Sequence, residues 1–268
     1  MFPLRRESMF FRRNCRPHFR LRQAPCLALL CGGFPHQLLL LETGVGRIAV
    51  EAALDWTVAV FPRLRFVLLA GFAGALAGGL RVGDLVVADS VVDEAGQFWP
   101  TCLLADHTGS QGAETVAVSR GRLLTSDRLI ASPEEKQRLG TIHQAHAVDM
   151  EAAYAAAFCA GHNLLFGCIR AISDPMTAAL APEVAALLCG GQVAPMRVVA
   201  AVLRKPGLLR EFWRLHHATE LAARRLCDGL RAVLHVNGGQ TGESRASHQM
   251  PPPKDRCRAG IWHERCHP

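Results

Sequence analysis

Short apolar runs alternate with helical patterns along most of the chain, and this alternation constrains the fold more than any other feature. A buried strand is a short continuous apolar run, whereas an amphipathic helix repeats its apolar residues every three or four positions. Strands are predicted at 37–42, 65–70, 84–92, 114–124, 147–148 and 163–172, and helices at 46–61, 133–139, 151–161, 182–203 and 208–234. Such alternation is typical of a mostly parallel sheet covered by helices on both faces. We therefore predict one α/β domain over residues 1–235.

The positive charge of the chain is concentrated at its two ends. The formal net charge is +7, with seven arginines against one acid in residues 1–25, while residues 26–234 hold 18 basic and 19 acidic side chains. The chain also has only one Tyr among its 268 residues, which leaves little material for an aromatic stacking surface. Nucleic-acid binding is therefore not expected.

No segment of the sequence is predicted to span a membrane. The longest charge-free stretch, 23–41, is interrupted by two glycines and Pro35, and a spanning helix needs about 20 mostly apolar residues. The ten cysteines lie in apolar runs without paired spacing, which favours reduced thiols and a cytoplasmic location. Residues 236–268 are rich in Gly, Ser, Gln and Pro, and we predict a disordered tail there.

Two short motifs imitate cofactor sites without the context that such sites need. Residues 44–49 (GVGRIA) follow a strand and open a helix, yet the next strand ends without the acidic residue that a nicotinamide dinucleotide site requires. Residues 263–267 spell HExxH inside the predicted tail, where a stable helix and a third zinc ligand are missing. We expect neither a cofactor nor a metal.

Two carboxylates stand where open α/β folds place their ligand sites. Glu151 opens a predicted helix, and Asp174 ends a predicted buried strand. Each could be structural, Glu151 as a partner of the helix dipole and Asp174 as a turn former before Pro175. A carboxylate at the end of a buried strand is costly unless it has a partner or a task. Together with the glycine-rich segment 71–79 they indicate a pocket.

The chain resembles the nucleoside phosphorylase/nucleosidase superfamily, most closely its methylthioadenosine/S-adenosylhomocysteine nucleosidase branch. The resemblance is carried by ETGVG at 42–46, GFAG at 71–74, LRVGDLVV at 80–87, VDMEA at 148–152 and RAISD at 170–174. It implies one α/β domain with a mixed, barrel-like central sheet flanked by helices, usually in a homodimer or larger homo-oligomer. It also implies that residues 1–25 form the end of a strand followed by the first helix. The first strand would be short, because only residues 1–4 are available for it before the segment that leads to Glu7.

The resemblance assigns catalytic roles to three acids. Asp174 would protonate the departing purine, and Ser173 would orient its carboxyl group. Glu151 would accept hydrogen bonds from the ribose hydroxyls and stabilise the cationic sugar, Glu7 would activate the attacking water, and Met150 would lie against the sugar. Arg170 is interpreted as a structural ion-pair partner.

Further residues would bind the substrate. The resemblance implies that Leu129 and Ile130 line the base and that the backbone amides of Ala73 and Gly74 face the nucleophile. The family commonly has a small polar residue where this chain has Phe72, and an aromatic residue where it has Leu129.

The expected reaction is hydrolytic cleavage of the N-glycosidic bond of a purine nucleoside, with adenine as the base. One alternative is a phosphorolytic enzyme, including the hopanoid-associated type, in which phosphate is the second substrate. Another is a catalytically inactive nucleoside-binding relative, which Phe72, Leu129 and the short first strand would suit.

Overall fold

The computed structural model describes residues 1–32, 34, 37–102, 118–179 and 208–236. Its helices are α1 (Arg5–Asn14), α2 (Arg47–Val60), α3 (Pro133–His143), α4 (Ala152–Gly161) and α5 (Leu208–Val236). Its strands are β1 (Arg16–Leu21), β2 (Leu27–Gly32), β3 (Leu38–Glu42), β4 (Phe66–Ala75), β5 (Leu85–Asp93), β6 (Phe98–Pro100), β7 (Val118–Thr125), β8 (Ala147–Asp149) and β9 (Leu165–Asp174).

Five strands close into a barrel. Around the ring β5 pairs with β7, β7 with β8, β8 with β4, β4 with β9, and β9 again with β5. The β5–β7, β7–β8 and β4–β9 pairs are parallel, and the β4–β8 and β5–β9 pairs are antiparallel. The short β6 extends the sheet beyond β5. The predicted mixed, barrel-like sheet flanked by helices is therefore confirmed.

Most predicted elements have the observed type, but several boundaries differ, two of them for a clear physical reason. Strand β4 was expected to end at Ala70, but it continues to Ala75, because it pairs with β9 as far as Gly74 and with β8 at Gly74 and Ala75. The first helix was expected to occupy the rest of residues 1–25 after a strand end, but α1 stops at Asn14 and strand β1 follows it. Pro17 explains this, because a proline lacks the backbone donor and disfavours helical geometry in the residue before it. The predicted helix 182–203 and the predicted tail lie outside the described residues.

The first residues of the chain connect two parts of the fold. Phe2 forms a parallel bridge with Glu42, and its amide donates to the Leu41 carbonyl over 2.9 Å. On the other side the Ala70 amide donates to the Met1 carbonyl over 2.9 Å. The short strand expected before Glu7 is therefore reduced to one bridge, which holds the start of α1 against both β3 and β4.

Strands β1, β2 and β3 form a separate antiparallel sheet that the sequence did not predict beyond β3. Helix α5 packs near it with an apolar stripe that includes Ala222, Leu226 and Leu230, all fully or almost fully buried. The charged side of α5 is exposed, as its amphipathic pattern predicts. Among the described residues no helix combines the length and apolar character that crossing a bilayer requires.

Helix α3 lies close to the end of β4. Ser132 caps the helix by accepting the Glu135 amide over 3.1 Å. At Gly140 the absence of a side chain permits the close approach, since a Cβ there would lie 2.7 Å from the Leu76 carbonyl oxygen. Lys136 lies one turn earlier on the same face and is completely buried.

A substitution at Gly140 tests this packing. We expect Gly140→Ala to lower the free energy of unfolding by about 1–3 kcal/mol, because the new methyl group meets backbone that cannot rotate away. Gly161→Ala is the matched control, since a Cβ there meets nothing within 4 Å and alanine is the better helix former. Denaturant unfolding of both variants measures the difference, and equal stability of the two would contradict the packing argument.

Candidate active site

A fully buried arginine is the centre of the polar interior. Arg170 on β9 makes an ion pair through Nη2 with Asp149, and a second, longer one with Glu151 Oε2 at 3.4 Å. Burial opposes the charge of Arg170, but the nearby Asp149, Glu151 and Glu7 carboxyl groups outweigh it and raise the pKa of the guanidinium. Arg170 was expected to be structural, and its contacts show that it also organises the acids.

Asp149 fixes the start of α4 while it faces Arg170. Its carboxyl group accepts the Ala152 amide over 3.1 Å and the Thr125 hydroxyl over 2.7 Å. The Thr125 oxygen in turn accepts the Ala153 amide over 2.8 Å. Strand β7, strand β8 and helix α4 are therefore tied together at one buried carboxylate.

Glu151 connects α4 with the glycine turn before α2. Its Oε1 accepts the Gly46 amide over 3.0 Å, and Gly46 has a φ of 85°, a conformation that favours glycine. Burial, together with repulsion from Asp149, raises the pKa of Glu151 to about 7 even though Arg170 lowers it. The motif at 44–49 therefore forms a tight turn, and its Gly46 amide also binds a carboxylate.

Glu7 lies on the third position of α1 with both oxygens occupied by backbone donors. The Leu4 amide donates to Oε2 over 2.6 Å, and the Phe72 amide donates to Oε1 over 2.7 Å. The side chain is almost fully buried, and this burial, with some repulsion from Glu151, raises its pKa to about 8 against the attraction of Arg170.

Gly71 makes the approach of Glu7 and Arg170 possible. A Cβ at this position would overlap Arg170 Nη1 and would lie 2.8 Å from Glu7 Oε1. The Nη1 and Nε atoms of Arg170 have no hydrogen-bond partner among the described residues. Glu7, Glu151 and Arg170 are thus brought to one place, although they come from α1, the start of α4 and β9.

Asp174 is the last residue of β9 and lies beside Gly74 of β4. Its Oδ1 accepts the Ser173 hydroxyl over 2.7 Å, and its Oδ2 lies 2.5 Å from Lys136 Nζ. A Cβ at Gly74 would lie 3.0 Å from Oδ2, so the carboxyl group packs directly on the strand. Gly71 and Gly74 are three residues apart, so the positions on β4 that Glu7 and Asp174 contact are about 10 Å apart along the strand.

The remaining predicted residues lie around these two positions. Phe72 is partly buried against the apolar cluster that includes Phe2 and Phe11, and Ala73 is buried on β4. Ile130 is buried in a cluster with Val148, which also contacts the Cβ position of Gly74. Met150 and Leu129 are partly buried, and their roles stay predictions.

An apolar cavity of about 760 Å³ lies away from these acids. It is bounded by β3, the end of α2, the first residues of β4 and the end of α5, and it contains none of the predicted site residues. We place the candidate site at the carboxylates because buried titratable groups with raised pKa values, rather than apolar volume, indicate acid–base chemistry.

Sequence reasoning missed three contributors to this site. Asp149 was visible in the VDMEA motif two positions before Glu151, but it was given no role. Gly46 was given no role, because the motif at 44–49 was rejected as a dinucleotide site. A backbone amide at the start of a helix is nevertheless a common contact for anions. Lys136 gave no signal, because a lysine in the segment PEEKQRL is expected on a solvated helix face.

The raised pKa of Glu7 predicts how stability depends on pH. A carboxyl group with a higher pKa in the folded than in the unfolded chain binds more protons when folded, so its contribution is lost as pH rises from about 4.5 to about 8. We expect the free energy of unfolding to fall across this range. In Glu7→Gln the total fall should be smaller by an amount on the order of a few kcal/mol.

The control for this measurement is Glu51→Gln, because Glu51 lies on α2 in an exposed pair with Arg47. Denaturant unfolding at pH 5, 6, 7 and 8 gives the slopes. An unchanged slope in Glu7→Gln would show that the Glu7 carboxyl group is not the titrating group.

Comparison with known proteins identifies the family of the chain. A family model described as the Phosphorylase superfamily matches residues 30–188, which is more than half of the chain. Over 161 residues the chain is 31% identical to the 5′-methylthioadenosine/S-adenosylhomocysteine nucleosidase of Bacillus cytotoxicus, covering 52% of this chain and 68% of that protein. The enzyme of the same name from Anoxybacillus flavithermus is 33% identical over 161 residues, covering 51% and 67%.

Solved structures share the fold at lower sequence identity. The S-adenosylhomocysteine nucleosidase of Streptococcus pyogenes, in complex with 5-methylthiotubericidin, superposes with a TM-score of 0.67 at 18% identity, covering 88% of this chain and 94% of that one. Futalosine hydrolase of Helicobacter pylori superposes with a TM-score of 0.65 at 17% identity, covering 87% and 94%. On the family match and these relatives, the chain belongs to the phosphorylase superfamily.

Proposed function

We propose that the chain is a nucleosidase that hydrolyses the N-glycosidic bond of adenine nucleosides of the methylthioadenosine and S-adenosylhomocysteine type. The observation that carries the proposal is a pair of buried carboxyl groups, Glu7 and Glu151, beside Arg170 on β9. A third acid, Asp174, lies at the carboxyl end of the same strand. Relatives that carry this name at 31% and 33% identity support the same reaction.

Glu151 suits the stabilisation of a sugar cation. Breaking a purine N-glycosidic bond passes through a ribosyl species with positive charge, as in glycoside hydrolysis generally. Glu151 is fixed by the Gly46 amide and by Arg170, so its carboxylate need not reorganise when the cation forms. The same oxygens can accept hydrogen bonds from ribose hydroxyls.

Glu7 suits the activation of water. A general base is most effective when its pKa lies near the working pH, and burial raises the pKa of Glu7 to about 8. The two backbone donors from Leu4 and Phe72 fix its direction and leave lone pairs on both oxygens for a water molecule. The amides of Ala73 and Gly74 follow Phe72 on β4, and in this proposal they would face that water molecule.

Asp174 suits protonation of the base. Its carboxyl group is about one-fifth exposed, so a bound purine can reach it, and Ser173 holds one of its oxygens. Protonation of the departing base removes the negative charge that would otherwise form on the ring. Ile130 and Leu129 would then lie beside the base, and Met150 and Phe72 beside the sugar.

The charge around Glu7 favours water over phosphate as the nucleophile. Three carboxyl groups, Glu7, Asp149 and Glu151, surround one arginine whose Nη2 is already ion-paired. In the ionised form that water activation needs, Glu7 would repel a phosphate dianion, whereas it would not repel a neutral water molecule. The phosphorolytic alternative, including the hopanoid-associated type, has no comparable support among the described residues.

We also propose a cytoplasmic homodimer or larger homo-oligomer that binds no nucleic acid. The seven cysteines among the described residues are all free thiols, which suits a reducing compartment. The resemblance to oligomeric enzymes of the superfamily supports the assembly.

Adenine release tests the proposed reaction. The protein is incubated with methylthioadenosine, S-adenosylhomocysteine, futalosine and adenosine, each with and without phosphate. We expect adenine from the first two substrates at rates that phosphate does not change, and a loss of about 10²-fold or more in Asp174→Asn. Release that requires phosphate would make the chain a phosphorylase, and nucleoside binding without any release would make it an inactive relative.

The pH dependence of the rate tests the role of Glu7. With a general base whose pKa is about 8, we expect kcat/KM to rise as the pH increases from 6 to about 8 and then to level off. Glu7→Gln should remove this rise and lower kcat by about 10²-fold or more, because the amide cannot accept the proton from water. A rise that persists unchanged in the residual activity of Glu7→Gln would assign it to another group.

A further inference from the structure

Lys136 is a buried lysine whose three hydrogen bonds converge on the chain segment at the end of β9. It is fully buried, and its Nζ donates to Asp174 Oδ2 over 2.5 Å, to the Pro175 carbonyl over 3.2 Å and to the Ala178 carbonyl over 3.2 Å. An ammonium group has three protons, so each proton has an acceptor. Lysines are almost never fully buried unless they are paired in this way.

Its place on the helix is one that packing alone would fill with an apolar side chain. Lys136 shares the inner face of α3 with Leu139, while Glu134, Gln137 and Arg138 are exposed. Taking an ammonium group out of water is costly, and replacing a buried ion pair by apolar groups often stabilises a protein. A cation at this position therefore suggests a task other than stability.

We propose that Lys136 is a positioning residue that holds the Asp174 carboxyl group for proton transfer to the departing base. This assignment rests on the proposed function and adds to it a residue that the family motifs did not indicate. Lys136 fixes Oδ2 while Ser173 fixes Oδ1, so both oxygens of Asp174 are held on β4 beside Gly74. Fixing a reacting group to within an ångström is worth about 10²-fold in rate.

Lys136 would also stabilise what proton transfer leaves behind. Asp174, whose side chain is partly exposed, first takes up a proton from solvent. As the glycosidic bond breaks, its electron pair moves to the purine, the new O–H bond of Asp174 breaks, and an N–H bond forms on the base. The remaining Asp174 carboxylate then lies 2.5 Å from the ammonium group, which does not itself lose a proton. The ion pair is thus stronger after the step than before it.

The competing explanation is that Lys136 only tethers the backbone after β9 through the Pro175 and Ala178 carbonyls. The two explanations differ in whether the effect of Lys136 passes through the Asp174 side chain. A double-mutant cycle separates them, because residues that act as one unit have effects that do not add.

The test measures steady-state methylthioadenosine hydrolysis by the wild type, Lys136→Met, Asp174→Asn and the double variant. We expect Lys136→Met to lower kcat by about 10²-fold with KM changed only a few-fold, and to cause no further loss in the Asp174→Asn background. Arg138→Met, on the exposed side of the same helix, is the control and should match the wild type. In Lys136→Ala, added ethylammonium ions should restore part of kcat, and they should restore none of it when Lys136→Ala is combined with Asp174→Asn.

Two results would overturn the assignment in distinguishable ways. If the wild type releases adenine and Lys136→Met loses the same factor in both backgrounds, Lys136 is a tether and not a positioning residue. If the wild type releases no base from any nucleoside, the proposed function fails and this assignment fails with it. Thermal unfolding of each variant shows whether a loss of rate comes from a loss of folded protein.

Discussion

The buried charge of Arg170 is the constraint on which the site depends. A guanidinium group without access to water must be surrounded by acids, and here Asp149, Glu151 and Glu7 fill that need. Removing Asp149, the closest ion-pair partner of Arg170, would leave a buried charge without compensation, which typically costs several kcal/mol. The same acids carry the proposed chemistry, so folding and function use one set of contacts.

This constraint also explains why distant parts of the chain meet at one place. Glu7 comes from α1, Glu151 from the start of α4, and their positions are set by backbone amides at Phe72 and Gly46. Backbone donors hold a carboxylate without side-chain entropy, and glycine at position 46 supplies the required backbone conformation. The turn at 44–46 and the middle of β4 are therefore part of the site and not only connections.

The fold class could be predicted from the sequence because parallel strands and amphipathic helices leave distinct periodic patterns. The three acids could be predicted because their motifs resemble a known superfamily. The extension of β4 past Ala70 could not, since the glycines that suggest a loop are there to admit the Arg170 and Asp174 side chains. Lys136 could not either, because its burial depends on the packing of α3 against Leu76, which no local pattern records.

The Glu7 end of the site is more acidic than the Asp174 end, and the proposed reaction needs a difference of this sign. Cleavage makes the sugar positive and the departing base negative. At the Glu7 end three acids face one arginine, whereas at the Asp174 end the single acid is matched by Lys136. About 10 Å of β4 separates these ends, a distance comparable to a nucleoside. Because both ends are held by backbone donors or buried ion pairs before a substrate arrives, a nucleoside bound as proposed would meet a field that favours the transition state over the neutral ground state.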